Sequence, residues 1–538
     1  MAEWDDLLSY HRLSMHAPEA FAPGPGQLDW ATQPAAFRRY PQASVIELLH
    51  RPLEESPSYD TVFAGPVGAP ATFNLSSLSQ LLYDSLAVSA WKRAGGNRWA
   101  LRVNPSSGNL HPTEAYVLLP AMDEEAALLA HYSADIHGLE VRAQLPPQLA
   151  RQFAQGLPHG GCVLALSSIV WREAWKYGER AYRYCQHDLG HALAALSIAA
   201  SALGWQVRLL RGRAEADYDR PFGLDREGFH EREQIDAVLW VGPAQVREPQ
   251  WPGTFWKALG ELELGGTPNR LSRQYRHWPE LERVHALCRA PALPIQSWAT
   301  DTGRVAVDNP GLPLRPLLHR RRSAQAMDGR SGIQAELLKA WLQRLMPEAS
   351  PVPFAASGEP PQVDLLLFVH RVQGLDPGLY WLARTGQAPV TGLREDFLWE
   401  RVDDHVPLYR LLAGDARSAA KFLSCGQAIA SDGCVAIAML ARFERALADG
   451  VWRYPRLYWE CGMIGQVLYL EAEAAGLSGT GIGCYFDPAV HELIGHSGLQ
   501  WQSLYHFTLG SAVWDQRLST EPAYPQLRRP PQERLGEY

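Results

Sequence analysis

The densest chemistry in the chain lies in a short polar turn. Within LRVNPSSGNLHPTEAYVLL (101–119), Pro105, Ser106, Ser107, Gly108 and Asn109 precede an apolar strand. Such a turn offers backbone N–H groups, hydroxyls and one carboxamide, the donor and acceptor set that the polar edge of a heterocycle needs. The same residue types also make an ordinary turn with an N-cap, so the stretch alone leaves both readings open. His187 and His191 flank Asp188 four residues apart, but HDLGH brings no third ligand and reads as helix packing rather than a metal site. Cysteines 162, 185, 288, 425, 434, 461 and 484 form no Cys-x-x-Cys pair, and Cys461 and Cys484 read as small buried residues. Only five of the 50 basic residues are lysine (92, 176, 257, 339 and 421), so a lysine at a chemically exacting position carries information.

These residues need a frame, and the chain repeats one. Asp188, Gly190, Leu196, Ala200 and Gly204 recur 272 positions later as Glu460, Gly462, Leu468, Ala472 and Gly476. Upstream, Gly108 and Glu114 match Gly358 and Asp364 at a spacing of 250; downstream, Gly242 matches Gly510 at 268. Three anchors in one order with drifting spacings indicate a duplication with loop changes. Each copy predicts a helix near its start, an apolar strand (115–119; 365–369), a long apolar helix and a late strand (237–241; 504–509). That order implies an α+β layer architecture. The division expected is an N-terminal arm (1–70), a first domain (71–248), a connecting segment (249–314) in which LERVHALCRA has helical spacing, a second domain (315–520) and a C-terminal tail (521–538) whose RRPPQERLGEY is expected to be mobile.

Composition narrows the function classes. A chain of 538 residues with 46% hydrophobic and 20% charged residues has ample core for two domains. Fifty basic against 58 acidic residues give a net charge of −8, which offers no general field for nucleic acid or anionic lipid. The start, MAEWDDLLSYHRLS, is acidic where an export signal is basic. Apolar runs such as those from Cys162 and Val435 are about half the roughly 20 residues that span a bilayer. With an odd cysteine count, the expected compartment is reducing cytoplasm.

The turn in its context, PSSGNLHPTEAYVLL, resembles the flavin-contacting motif of the nitroreductase superfamily, and more closely its SagB-type branch, the azoline oxidases or dehydrogenases. WKYGERAYRYCQHDLGHALAALSIAASALG, RLYWECGMIGQVLYLEAEAAGLSGTGIGCYF, VHRVQGLDPGLYWL and the early YHRLS resemble other parts of that branch, over about 75–245 and 315–517. The resemblance implies two tandem nitroreductase-like domains, each a mixed sheet flanked by helices, forming an intrachain pseudo-dimer that binds FMN (flavin mononucleotide) between its halves. Arg321, Arg322, Ser323 and Gln325 resemble the family's phosphate motif, with Gln325 replacing a basic residue; guanidiniums and a hydroxyl suit an anion, although a solvated basic run has the same composition. Arg517 resembles the late basic residue that also reaches the phosphate. Gly481 and Gly483 resemble the glycine segment along the isoalloxazine, and equally fit a helix C-cap and turn. The first copy keeps PSSGN without the arginines and the second keeps the arginines with AASGE in place of PSSGN, which implies one complete FMN site per chain and one degenerate one.

For catalysis the resemblance points to Lys176 and Tyr177, which match the Lys-Tyr pair proposed in azoline oxidases to remove a proton as hydride leaves; a helix-surface lysine beside a packing tyrosine is the plainer reading of the residues. The implied activity is FMN-dependent dehydrogenation of a small heterocyclic or peptidic substrate in natural-product or modified-peptide biosynthesis, with biosynthetic partner enzymes and further homodimerisation left open. The alternatives are an NAD(P)H-dependent nitro- or quinone reductase and a flavin-inert scaffold in a biosynthetic complex. Neither nucleic acid nor membrane is expected as a partner.

Overall fold

A computed structural model describes residues 2–49, 53, 55–157, 160–226, 228–243, 247–295 and 311–524. Two seven-stranded sheets carry it. The first contains β1 (Val45–Glu47), β2 (Thr113–Leu119), β3 (Leu128–Ser133), β4 (Gly138–Gln144), β5 (Cys162–Ser168), β6 (Gln206–Leu209) and β7 (Gln234–Gly242), in the order β1-β4-β3-β2-β5-β7-β6. The second contains β8 (Val363–Val369), β9 (Gly378–Leu382), β10 (Glu400–Arg401), β11 (Leu408–Ala413), β12 (Val435–Arg442), β13 (Ser478–Ile482) and β14 (Trp501–Gly510), in the order β10-β11-β9-β8-β12-β14-β13. Apart from their edge strands β1 and β10, the two orders are the same. The α+β class stands, but every described ladder in these sheets is antiparallel, where the resemblance implied mixed sheets. Short connections join β2 to β3, β3 to β4 and β8 to β9, whereas the helix Ala181–Ala202 lies between β5 and β7 and the helix Tyr454–Ala474 between β12 and β14.

The central strands explain the layering. β2 is buried on both faces, with Ala115, Val117 and Leu119 in one core cluster and Tyr116 and Leu118 in another, so its alternation separates two apolar layers. β8 does the same with Leu365, Leu367 and Val369 against Leu366 and Phe368. Two long helices, α1 (Ala181–Ala202) and α2 (Tyr454–Ala474), fill the space between the sheets and are buried along nearly their whole length. On α1, Leu189, Leu193, Leu196 and Ala200 face the first sheet while Ala194 and Ile198 join the core of the second.

The segment 249–314 contributes helix Gly253–Gly260, whose Phe255, Trp256 and Leu259 cover the outer face of the first sheet, and helix Pro279–Leu287, where helical spacing was read; residues 296–310 lie outside the described ones. The N-terminal helix Ala2–Leu13 packs Leu7, Leu8 and Tyr10 into the second core. Ser519–Glu521, where the second domain meets the tail, pairs with strand Val88–Ala94, and Tyr524 is buried, its hydroxyl accepting from the Val88 amide at 2.8 Å. The aromatic side chain supplies the buried area that anchors this end; residues 525–538 lie outside the described ones.

The helices α1 and α2 meet at Gly190 and Gly462. A Cβ at Gly190 would lie 2.3 Å from the Trp459 carbonyl oxygen, and one at Gly462 would lie 2.3 Å from that of His187. Gly190→Ala or Gly462→Ala is therefore expected to destabilise the chain by about 1–3 kcal/mol or more in urea unfolding. Gly253→Ala, where nothing lies within 4 Å of the new methyl, should stay within about 0.5 kcal/mol.

Candidate functional site

A cavity of about 530 Å³ opens at the junction of the two halves, within the roughly 300–1,000 Å³ typical of small-molecule sites. Its walls bring together Pro105, Ser106, Ser107 and Asn109 of the first half with Arg321, Arg322, Ser323, Gln325, Gly481 and Gly483 of the second. Tyr177 also lines it.

The turn is held in a demanding backbone conformation. Asn109 and His111 have φ of +59° and +54°, and Gly108 has +57°. Asp188 on α1 fastens it: its carboxylate accepts from the Ser107 amide at 2.9 and 3.1 Å and from the Ser107 hydroxyl at 2.9 Å. The Ser106 hydroxyl accepts from the His111 amide at 2.8 Å, and the Asn109 carboxamide donates to the Ala100 carbonyl at 2.9 Å. Part of the turn's polar capacity is thus spent on itself. Gly108 is where the catalytic candidates arrive: a Cβ there would lie 2.5 Å from the Tyr177 hydroxyl and 3.2 Å from Lys176 Nζ. Lys176 and Tyr177 end the helix Val170–Tyr177, with the ammonium 5.1 Å from the Tyr177 ring centroid and that ring edge-on to Tyr184.

Burial, followed by the neighbouring Glu173, pushes the Tyr177 phenol well above its usual range. Tyr177 therefore keeps its proton near neutral pH, where the sequence reading allowed it to act as a base. Glu173, one turn earlier, is fully buried with both carboxylate oxygens unpartnered among the described residues, and burial raises its pKa as well. No motif marks Glu173; the one sequence signal was its place three and four residues before Lys176 and Tyr177.

The opposite end is cationic. Arg321 is buried, donates to the Arg102 carbonyl at 3.2 Å, and leaves Nε and Nη1 without partners among the described residues. Arg322 donates to the His319 and Arg321 carbonyls at 2.9 and 2.7 Å, and its pKa falls to about 10 through burial and then Arg321. Lys92, which also lines the cavity, donates to the Thr520 hydroxyl at 2.7 Å, and its pKa is lowered by burial and then Arg322. These hydrogen bonds go to carbonyls and a hydroxyl rather than to carboxylates, so positive charge is left for an anion. Lys92 escaped the motif reading, although the scarcity of lysine was the signal that could have found it.

Other candidates are placed differently from the sequence reading. Arg517 does not line the cavity; its side chain is 87% exposed and pairs with Asp515 at 2.7 Å. At Gly481 and Gly483 the missing side chains make room for this chain's own tyrosines, the Tyr505 hydroxyl at 1.9 Å and Tyr184 Cε1 at 2.1 Å from the respective virtual Cβ positions. Ser323 shares a 2.8 Å hydrogen bond with the Tyr469 hydroxyl, which also accepts from the Gly481 amide at 2.9 Å. His187 donates to the Leu504 carbonyl, and His191 lies between Gln466 and Tyr505. Cys461 is buried, but Cys484 is only half-buried and lines the cavity.

The corresponding region of the other half is filled. Around Ser357, Glu359 and Glu460 only about 30 Å³ remains. Glu359 pairs there with Arg453 at 3.1 Å and Arg211 at 3.5 Å, Arg456 pairs with Glu215 at 2.7 Å, and Glu460 pairs with Arg384 at 2.6 Å.

Residues 90–242 match the Nitroreductase family model. Over nearly its whole length the chain is similar to a solved protein of Anabaena variabilis described as a candidate nitroreductase: 23% identity, 94% of this chain and 99% of that one covered, TM-score 0.66. Weaker likenesses are to a candidate nitroreductase of Ralstonia eutropha (18% identity, 39% of this chain and 87% of that one, TM-score 0.28) and to the E. coli microcin synthetase McbBCD complex with truncated pro-MccB17 (18%, 36% and 70%, TM-score 0.29). None of the curated proteins matches the chain. The fold is nitroreductase-like. Among the described residues no helix is long and apolar enough to cross a membrane.

Asp188 gives the site a pH signature. Burial raises its pKa to about 7, against the lowering effect of the Ser107 hydrogen bonds. A carboxyl whose pKa is higher in the folded state than in the unfolded chain contributes stability below its unfolded pKa of about 4 and loses it as the pH rises through about 7. In urea unfolding, the stability of Asp188→Asn relative to wild type should therefore rise between pH 4 and 8 by up to roughly 4 kcal/mol. A difference that does not change with pH would show that the carboxylate ionises in place without cost.

Proposed function

We propose that the chain is an FMN-dependent oxidoreductase, a tandem duplication forming an intrachain pseudo-dimer with one flavin site, that dehydrogenates a small heterocyclic or peptidic substrate. The observation that carries this reading is the polarity of the 530 Å³ cavity, with a donor-rich turn from one half and, from the other, the buried Arg321 and half-buried Arg322, which bond no carboxylate among the described residues. The unpartnered Arg321 nitrogens, Arg322, Lys92 and Ser323 fit a phosphate, while Ser106, Ser107 and Asn109 fit the edge of a heterocycle. Gln325 lowers the charge of the motif and Lys92 restores it. When bound, FMN would supply hydride acceptance and return.

The chain's own residues manage the proton. Lys176 and Tyr177 are held against Gly108, so the proton that leaves the substrate with hydride departure would pass to the Lys176 amine. Tyr177 orients the substrate through the phenolic proton it keeps. The azoline-to-azole form of this chemistry and its biosynthetic partner enzymes rest on the resemblance to the SagB-type branch, in which Lys176 and Tyr177 match the azoline oxidase pair, and the cytoplasmic setting rests on the odd cysteine count and the acidic start. The proton held by Tyr177 also favours a second reading, NAD(P)H-dependent reduction of a nitro compound or quinone, in which the substrate takes up protons.

The purified protein is expected to be yellow and to release about one FMN per chain, counted from its visible spectrum after denaturation. Arg322→Ala and Lys92→Ala should each weaken FMN binding about 10- to 100-fold, the range for losing a charged hydrogen bond. Lys176→Ala and Tyr177→Phe should retain flavin and lose about 100-fold or more in turnover. Two flavins per chain would overturn the single-site assignment, and a colourless protein that refuses added FMN would favour the scaffold.

A further inference from the structure

The cations at the phosphate end of the cavity converge on one hairpin that belongs to neither seven-stranded sheet. Strands Val88–Ala94 and Asn97–Arg102 pair across the two-residue turn Gly95-Gly96, where Gly95 has φ of +56°. Lys92 lies on this hairpin, Arg322 donates to its Ser89 hydroxyl at 3.3 Å, and Arg321 donates to its Arg102 carbonyl at 3.2 Å. Two strands by themselves are marginally stable in water. The third strand comes from the other half of the chain: Ser519–Glu521 pairs antiparallel with Val88–Ala94, which sets Thr520 opposite Lys92 and Lys92 opposite Trp99. Directly opposed side chains share a face. That face is turned to the cavity, which Lys92 and Trp99 line, and Lys92 Nζ donates to Thr520 Oγ1 at 2.7 Å. On the other face Glu521 pairs with Arg98 at 2.9 Å and Arg93 at 3.8 Å, exposed ion pairs that hold little by themselves. The firmer fastening is Tyr524. Its ring is buried with Tyr83, Val88 and Ala100, and its hydroxyl donates to the Ala134 carbonyl while accepting from the Val88 amide. Trp91 Nε1 adds a bond to the Ala523 carbonyl at 2.9 Å. Where the chain leaves β14, the Asp328 amide donates to the Ser511 carbonyl and the Val513 amide to the Ala326 carbonyl, both at 2.9 Å. Residues 511–524 are thus a strap, anchored in the second half at one end and on the hairpin of the first half at the other. Val513, Trp514, Asp515 and Leu518 of the strap line the cavity, and Asp515 is taken up by Arg517, which turns outward.

We infer that the strap is a positioning element for the cofactor phosphate, with Tyr524 as its anchor: by adding the third strand to the hairpin 88–102 it sets Lys92, and the partners of Arg321 and Arg322, at the spacing a single phosphate needs. This rests on the FMN reading above. The strap brings no cation of its own to the cavity wall, since Arg517 points away, so it acts through the hairpin. Lys92 belongs to the first half and the two arginines to the second. A phosphate held by all three draws the hairpin against the second half, which is also what the docked strap does. Docking of the strap and binding of the phosphate therefore reinforce each other, each raising the other by the same factor. A flavin without a phosphate takes no part in this coupling and is indifferent to the strap.

The test compares FMN with riboflavin, which is FMN without its phosphate, on the flavin-depleted full chain, with affinity read from the quenching of flavin fluorescence. Wild type is expected to bind FMN more tightly than riboflavin. Tyr524→Ala should weaken FMN binding about tenfold or more, the range for losing a charged hydrogen bond, and leave riboflavin binding unchanged. Hydrogen exchange reads the reciprocal effect: FMN on wild type should slow exchange of the amides of 88–94 and 519–521 about tenfold, and riboflavin should not. Circular dichroism matching wild type establishes that the variant is folded. If alanine unfolds the chain, Tyr524→Phe, which keeps the ring and loses both hydroxyl bonds, replaces it, with the same selective loss of FMN expected. Equal losses of FMN and riboflavin in a folded variant would make Tyr524 merely structural and overturn the proposal, as would strap amides that do not respond to FMN. A wild type that binds neither flavin refutes the cofactor reading and the role of the strap with it. A wild type that prefers FMN, beside a folded variant that keeps the preference, refutes the strap alone.

Discussion

The contact on which the rest depends is the crossing of two buried helices at a pair of glycines. Gly190 and Gly462 let α1 and α2 approach until each backbone fills the space where the other's side chain would stand. The helices are buried along nearly their whole length, and the two sheets enclose them from outside. Asp188 lies two residues before the crossing and His191 one residue after it. The same contact therefore fixes the carboxylate that fastens the turn 105–109 and sets it opposite β13 and Tyr505 of the other half. A displacement of one helix would separate the walls of the cavity before it exposed any core.

The equivalence of the two halves holds in their frame and fails in their sites. In one site Asp188 spends its carboxylate on the turn and the arginines of the other half are left without carboxylates. In the other, Glu359 pairs with Arg211 and Arg453, Arg456 with Glu215, and Glu460 with Arg384. Removing charge from water is costly unless it is paired. The filled site has met that cost internally, whereas the open one leaves it to a ligand. Mutual pairing of this kind stabilises the fold and leaves no cavity for a cofactor.

What could be read in the sequence follows how far each interaction reaches. The repeat, the central strands and the long helices were legible because apolar periodicity is a property of consecutive residues, and the turn 105–109 because its chemistry is confined to five of them. Lys92, Tyr469, Tyr505 and Glu173 were not legible, since their roles come from which element packs beside them. Arg517 shows the limit from the other side. A long side chain on a loop can point either way, and Asp515, two residues earlier, supplies a partner in solvent. Tyr524 was lost in a tail whose neighbours are prolines and charges, although one aromatic ring is enough to anchor a chain end.

The open cavity thus joins two kinds of strain. At one end, Arg321 and Arg322 are held with fewer hydrogen bonds than their guanidiniums can make, which raises the free energy of the ligand-free state and favours an anion of matching geometry. At the other, Asp188 and Glu173 are buried with pKa values pushed upward, so protons are retained where a substrate would arrive. The two ends do not neutralise each other because the cavity lies between them. Charge of one sign at one end and held protons at the other would align a ligand that is anionic at one terminus and polar but neutral at the other, and would do so before any contact with its middle is made. A cavity lined only by apolar side chains would admit such a ligand in either direction, so the unpaired charges that cost stability are what set its orientation.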